Sequence, residues 1–274
     1  MTRKETYMRE VARLLSGFLT SGSAGDLLTC LVAGSNLPGP RANLELAAAF
    51  SETVRKFAAA DADDRHILWD LCVELACVSP EDAPTDDPHE FLAFCGVRGI
   101  GAIGSLSPAC VGPALTHLAE ASVDPRWRIR EAVAMGIQDL LSRQRNATVT
   151  ELEGWVEGGS WFTMRAAAAG IAEPDLLGEP EIADAALRFH RKILIRIYTA
   201  NERQSEAFKA LRTALGYTLG LAVAALPGIG FEYLRQLATL DDQDIRWIVR
   251  ENLRKNQLQK QYPETVQHIQ AQLS

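Results

Sequence analysis

Apolar residues return every three or four positions along almost the whole chain, the period of an amphipathic helix. No stretch alternates apolar and polar residues between hairpin turns, so the pattern predicts helices throughout. Residues 41–60 and 66–77 read as one helical pair joined by the polar turn at 61–64. Residues 184–198 place Ala186, Phe189, Ile193 and Ile197 on one stripe, with Arg188, Arg191, Lys192 and Arg196 on the opposite side. Pro- and Gly-bearing breaks are expected at 34–40, 78–88, 104–113, 173–180 and 227–230. Connections this short make neighbouring helices antiparallel and successive pairs stack.

A short motif recurs on this background. Residues 124–131 (DPRWRIRE), 159–166 (GSWFTMRA) and 244–251 (DIRWIVRE) each set an aromatic three residues before an arginine. The columns are Trp127/Phe162/Trp247, Ile129/Met164/Val249 and Arg130/Arg165/Arg250. Weaker copies surround Arg98 and Arg212, so the arginines fall at intervals of 32, 35, 47 and 38 residues. A period near 40 with two helices per repeat belongs to the HEAT and armadillo class. The three good copies resemble the second helix of HEAT repeats, in which an aspartate opens the helix and an arginine follows. That resemblance covers about residues 110–274 and implies a right-handed α-α superhelix. The expected fold is therefore all-α, a HEAT-like or armadillo-type solenoid of about five to six pairs forming one domain over 1–274. In such a stack Asp124 or Asp244 would cap its helix, each arginine would pair with an aspartate of the adjacent repeat, and the aromatic would fill the gap between layers.

Charge divides the chain unevenly. Residues 1–184 carry 15 basic and 27 acidic side chains and residues 185–274 carry 13 and 8, net −12 and +5 within the total of −7. Residues 61–90 hold ten acids against Arg65 alone, ending in an acidic, proline-bearing segment (78–90) that reads as an exposed loop. The basic C-terminal third is a candidate surface for DNA or another acidic partner.

Five cysteines without CxxC spacing, two of them (Cys72 and Cys77) inside an apolar helical pattern, read as reduced core thiols of a cytoplasmic protein. Scattered histidines give no metal-ligand spacing, so no metal is expected. The stretches 99–119 and 213–231 lack charge, but prolines and glycines interrupt both, so no membrane span is expected. Residues 99–104 match GxGxxG without a preceding strand, and close helix packing explains them better than a dinucleotide. No cofactor is expected.

A second resemblance concerns the last copy, WIVRENLRKNQLQKQYPETVQHI, which is similar to the closing helix of bacterial DNA alkylation repair proteins, the HEAT-like alkylpurine DNA glycosylases. It implies that Trp247 and Arg250 would hold a damaged strand, with Arg130 after Trp127, or Arg165 after Phe162, as the other DNA contact. The family's Trp-Asp-x-x-Asp segment matches Trp69-Asp70-Leu71-Cys72-Val73 here, so valine stands where the catalytic aspartate belongs. Glu74 lies one residue later, turned about 100° around the helix. Without that carboxylate nothing obvious stabilises a developing sugar cation, and Asp70 and Glu74 are the only nearby substitutes. The sequence therefore points to a helical-repeat scaffold that binds another protein through Trp127, Arg130, Arg165, Trp247 and Arg250, rather than to an enzyme. The alternative is a DNA-binding protein of the alkylation-repair type with a degenerate catalytic site.

Overall fold

A computed structural model describes residues 2–273, and every regular element among them is a helix. They form two compact units, residues 1–148 and 149–274, with the division falling inside α8.

The first unit contains α1 (Arg3–Ser21), α2 (Gly25–Ala33), α3 (Leu44–Ala60), α4 (Ala62–Ala76), α5 (Glu90–Gly104), α6 (Pro108–Ala121) and α7 (Trp127–Arg143). Helices α1, α3, α5 and α7 form one layer, each packed on the next, while α4 lies against α3 and α5 and α6 against α5 and α7. At the centre, α5 buries every residue except Arg98. A helix apolar on all sides has to be enclosed, and here glycines allow the approach. A Cβ on Gly96 would lie 2.4 Å from Ala76 N, and one on Gly101 would lie 2.5 Å from Gly136 Cα. The GxGxxG spacing thus sits within a packing helix.

The second unit follows α8 (Arg145–Gly158) with α9 (Trp161–Ile171), α10 (Pro174–Leu177), α11 (Pro180–Thr199), α12 (Glu206–Ala225), α13 (Pro227–Ala238), α14 (Gln243–Leu253), α15 (Asn256–Gln261) and α16 (Pro263–Gln272). Here α12 is central, packed on α9 and α14 and also on α11 and α13. The motif arginines Arg98 and Arg130 thus lie on adjacent layer helices of the first unit, and Arg165, Arg212 and Arg250 on adjacent helices of the second.

Several expected boundaries shift. Residues 227–230 are not a break: Pro227 opens α13 one residue after Leu226, because proline suits the first helical turn. The break at 104–113 shrinks, because α6 starts on Pro108 and continues through Pro113. The caps move too. α14 is capped by Asp242, whose carboxylate accepts from the N–H groups of Asp244 and Ile245, and not by Asp244. Asp124 is not the N-cap of α7, a place taken by Arg126; its oxygens bind the Arg126 guanidinium and backbone N–H instead of a first-turn N–H.

Cys72 and Cys95 are buried, and desolvation raises both thiols above their ordinary range. Cys77 is exposed, at the C-cap of α4, so it is not the core thiol that the apolar pattern suggested. Mass-resolved alkylation of the native protein should therefore label Cys77 first and leave Cys72 and Cys95 unmodified until unfolding.

His190 is fully buried on α11. Its Nδ1 lies 2.7 Å from the Ala186 carbonyl, which can only accept, so Nδ1 carries the proton and Nε2 accepts from the Thr218 hydroxyl at 2.8 Å. Burial lowers its pKa to about 4, from 6.5. The unfolded chain then takes up a proton below about pH 6.5 that the folded chain refuses. Stability should fall by up to about 3 kcal/mol as pH drops from about 6.5 to 4, and level off below. Urea unfolding across that window should show a shallower slope for His190→Gln.

Candidate functional site

Trp127 opens α7 and remains 44% exposed, one of the largest apolar side chains at the surface. Its mount is built from the neighbouring arginine. The Arg128 guanidinium lies 4.5 Å from the indole centroid and is itself almost fully buried. Arg128 donates to Glu90 Oε2 at 3.1 Å, to Asp86 Oδ1 at 2.7 Å and to the Gly39 carbonyl at 2.6 Å. Glu90 is completely buried, and its Oε2 also accepts from the Asp86 N–H at 2.9 Å.

Arg126 fixes the same loop from its other end. It donates to the carbonyls of Val78 (2.8 Å) and Ala83 (3.0 Å), and Asp124 holds it at 2.6 Å and 2.9 Å. The acidic loop at 78–90 is therefore not simply solvated. Its tip is exposed, but Arg126 pins its backbone, Arg128 holds its Asp86 and Glu90 carboxylates, and Glu90 is drawn into the interior. A buried carboxylate requires a buried cation, which explains why the densest acidic stretch faces the arginine run of α7. These two arginines were missed by a reading centred on the repeating column. Three arginines in five residues, set against a segment of net −9, is the signal that could have found them.

The other motif residues are spent within the chain. Arg130 donates to the carbonyls of Asp124 (2.6 Å) and Pro125 (2.9 Å), closing its own loop. Arg165 is buried, so it cannot present a guanidinium at a surface. Trp247 lies under the Arg212 guanidinium at 3.9 Å and against Gly216, where a Cβ would meet the indole at 3.1 Å. Arg212 also pairs with Asp244 at 2.8 Å, and Arg203 joins at 3.1 Å. The ladder of arginine, aspartate and aromatic thus occurs between α12 and α14, using the weak-copy Arg212 with Asp244 and Trp247. Arg250 is exposed and donates to the Leu273 carbonyl at 2.5 Å, beside a cavity of about 290 Å³ shared with Arg254 and Gln270.

The basic side of α11 is not an open patch. Glu153 of α8 meets Arg188 and Lys192, Glu157 meets Lys192 at 2.6 Å, and Asp184 meets Arg188 at 2.7 Å. Arg196 donates to the carbonyls of Glu157 and Gly159, and Arg191 lies 5.0 Å from the Tyr233 ring centroid. Nearby, Arg254 pairs with Glu251 at 2.6 Å. The local excess of cations that the sequence offers to phosphates is largely neutralised or hydrogen-bonded from within.

Trp69 stacks edge-on with His117 at 5.5 Å and lines a cavity of about 220 Å³ with Arg65, His66, Ile103 and Pro113. Asp70 and Glu74 are both exposed and neither lines that cavity, so the fold does not bring them to it. Among the described residues no cluster of histidine, cysteine and carboxylate could hold a metal ion, and no helix is long and apolar enough to cross a membrane.

No family model matches the chain, and no curated protein matches it. Among solved structures, an engineered protein studied as a Northeast Structural Genomics Consortium target is 15% identical. The match covers 88% of this chain and 97% of that one at a TM-score of 0.32, a likeness too low to carry an argument.

Proposed function

We propose that the helices are HEAT-like pairs of a right-handed α-α superhelix, and that the chain is a binding scaffold for another protein. The observation that carries the reading is Trp127, a large indole left half-exposed on a rigid arginine mount. Interfaces draw most of their energy from such anchors, above all Trp, Tyr and Arg, and a pre-ordered anchor loses little entropy on binding. The side-by-side stacking of α1, α3, α5 and α7 supports the repeat architecture, since each of these helices packs on the next.

Arg130, Arg165, Trp247 and Arg250 are positioned for the integrity of the stack, so the contact role is assigned to Trp127. A pull-down from the native cell should recover a protein partner whose retention survives nuclease treatment. The DNA alkylation repair reading predicts a different outcome. Methylated DNA incubated with the purified protein should release no 7-methylguanine or 3-methyladenine. Release abolished by Asp70→Asn or Glu74→Gln would replace the scaffold with an enzyme.

A further inference from the structure

A cleft of about 280 Å³ in the first unit lies apart from Trp127 and its loop. Four consecutive layer helices each contribute one cation to its wall: Lys4 from α1, Arg55 from α3, Arg98 from α5 and Arg143 from α7. Two carboxylates face them. Lys4 meets Glu52 at 3.1 Å, and Arg98 Nη2 meets Asp139 Oδ2 at 3.0 Å, which balances two of the four charges. Arg55 and Arg143 make no hydrogen bond or close ion pair among the described residues and share the field of Asp139 with Arg98, so four cations against two carboxylates leave the lining a net charge of +2.

That excess is local. Residues 1–148 carry 14 basic and 19 acidic side chains, net −5, yet here four cations converge on only two acids. Arg98 is the one α5 residue that is not buried among apolar neighbours, and its Nε is enclosed with no acceptor. Converging like charges in a partly desolvated cleft repel one another, and a bound anion removes that cost. The lining contains Ala48, Ala102, Ser51 and Ser142 but no aromatic or large aliphatic side chain, so nothing is present to stack a base or hold an acyl chain. The volume falls just below the roughly 300–1,000 Å³ typical of ligand pockets, which suits a small anion.

We infer that this cleft is a binding site for a small phosphoryl dianion, free phosphate or a phosphate monoester, held by Arg55 and Arg143 with Arg98 at its floor. Guanidinium forks match the paired oxygens of a phosphoryl group, and the net charge of +2 in the lining matches its charge near neutral pH. Asp139 serves as a positioning residue: by holding one Arg98 nitrogen, it fixes that guanidinium in the cleft.

Isothermal titration of the full chain with inorganic phosphate and with glycerol 3-phosphate, at matched ionic strength and with glycerol as the neutral control, tests the inference. The expected result is saturable one-to-one binding of at least one of the two anions and none of glycerol. The tighter of the two identifies the source. Arg143→Gln and Arg55→Gln, on exposed and half-buried positions, should each weaken binding at least tenfold without lowering the unfolding midpoint of the free protein. Saturation by neither anion would overturn the assignment. So would affinity that both variants retain.

Discussion

Replacing Gly101 by leucine is expected to prevent the first unit from folding, and replacing it by alanine to cost about 3 kcal/mol or more. A Cβ there would lie 2.5 Å from Gly136 Cα and 2.8 Å from the Gly136 carbonyl oxygen. Both atoms are backbone, so no rotamer change relieves the contact. Relief requires α5 to move off α7, and α5 is also packed against α3, α4 and α6. The loss therefore spreads through the layer instead of staying at one side chain. Gly154 gives the control. It is exposed on α8 and a Cβ there meets nothing within 4 Å, so Gly154→Ala should stabilise by about 0.5–1 kcal/mol. Urea denaturation followed by circular dichroism compares the variants directly.

Arg128→Ala is the second change expected to have a large effect, at about 3–5 kcal/mol, because it strands the fully buried Glu90 without a cation. It also removes the donors to Asp86 and to the Gly39 carbonyl, and so releases the acidic loop. Replacing both charges, as in Arg128→Met with Glu90→Leu, should cost much less than the sum of the single losses, because the pair loses its charges together. Additive losses in that cycle would mean that the pair contributes nothing as a pair. Hydrogen exchange adds a local readout: the Asp86 amide, bonded to Glu90 at 2.9 Å, should lose protection in Arg128→Ala.

Much of the fold is legible along the chain because helical periodicity is local. The stripe Ala186, Phe189, Ile193 and Ile197 is fully buried on α11, as its spacing requires. A helix boundary beside Pro227 is visible too, although the structure places it at Leu226, ahead of the segment 227–230. The chemistry of the arginines is not local. Arg128 reaches Glu90 and Gly39 across 38 and 89 residues, and neither distance leaves a mark on the sequence beyond the charge imbalance. Likewise, the α11 cations can be read from their own helix, whereas Glu153 and Glu157, which neutralise them, come from a helix 35 to 39 residues earlier. Cys77 illustrates a third reason. Its apolar neighbours share a helix with it, but it caps the last turn, where the buried stripe has already run out.

The most direct test compares partner retention for wild type and Trp127→Ala under nuclease, with thermal unfolding of both recorded alongside. Trp127 is half-exposed, so its removal should change the unfolding midpoint by no more than a few degrees. The partner recovered with the wild type should be lost from the variant, with affinity falling roughly 30-fold or more, as for an anchor worth about 2 kcal/mol or above. Full retention of the partner by a stably folded Trp127→Ala would contradict the account.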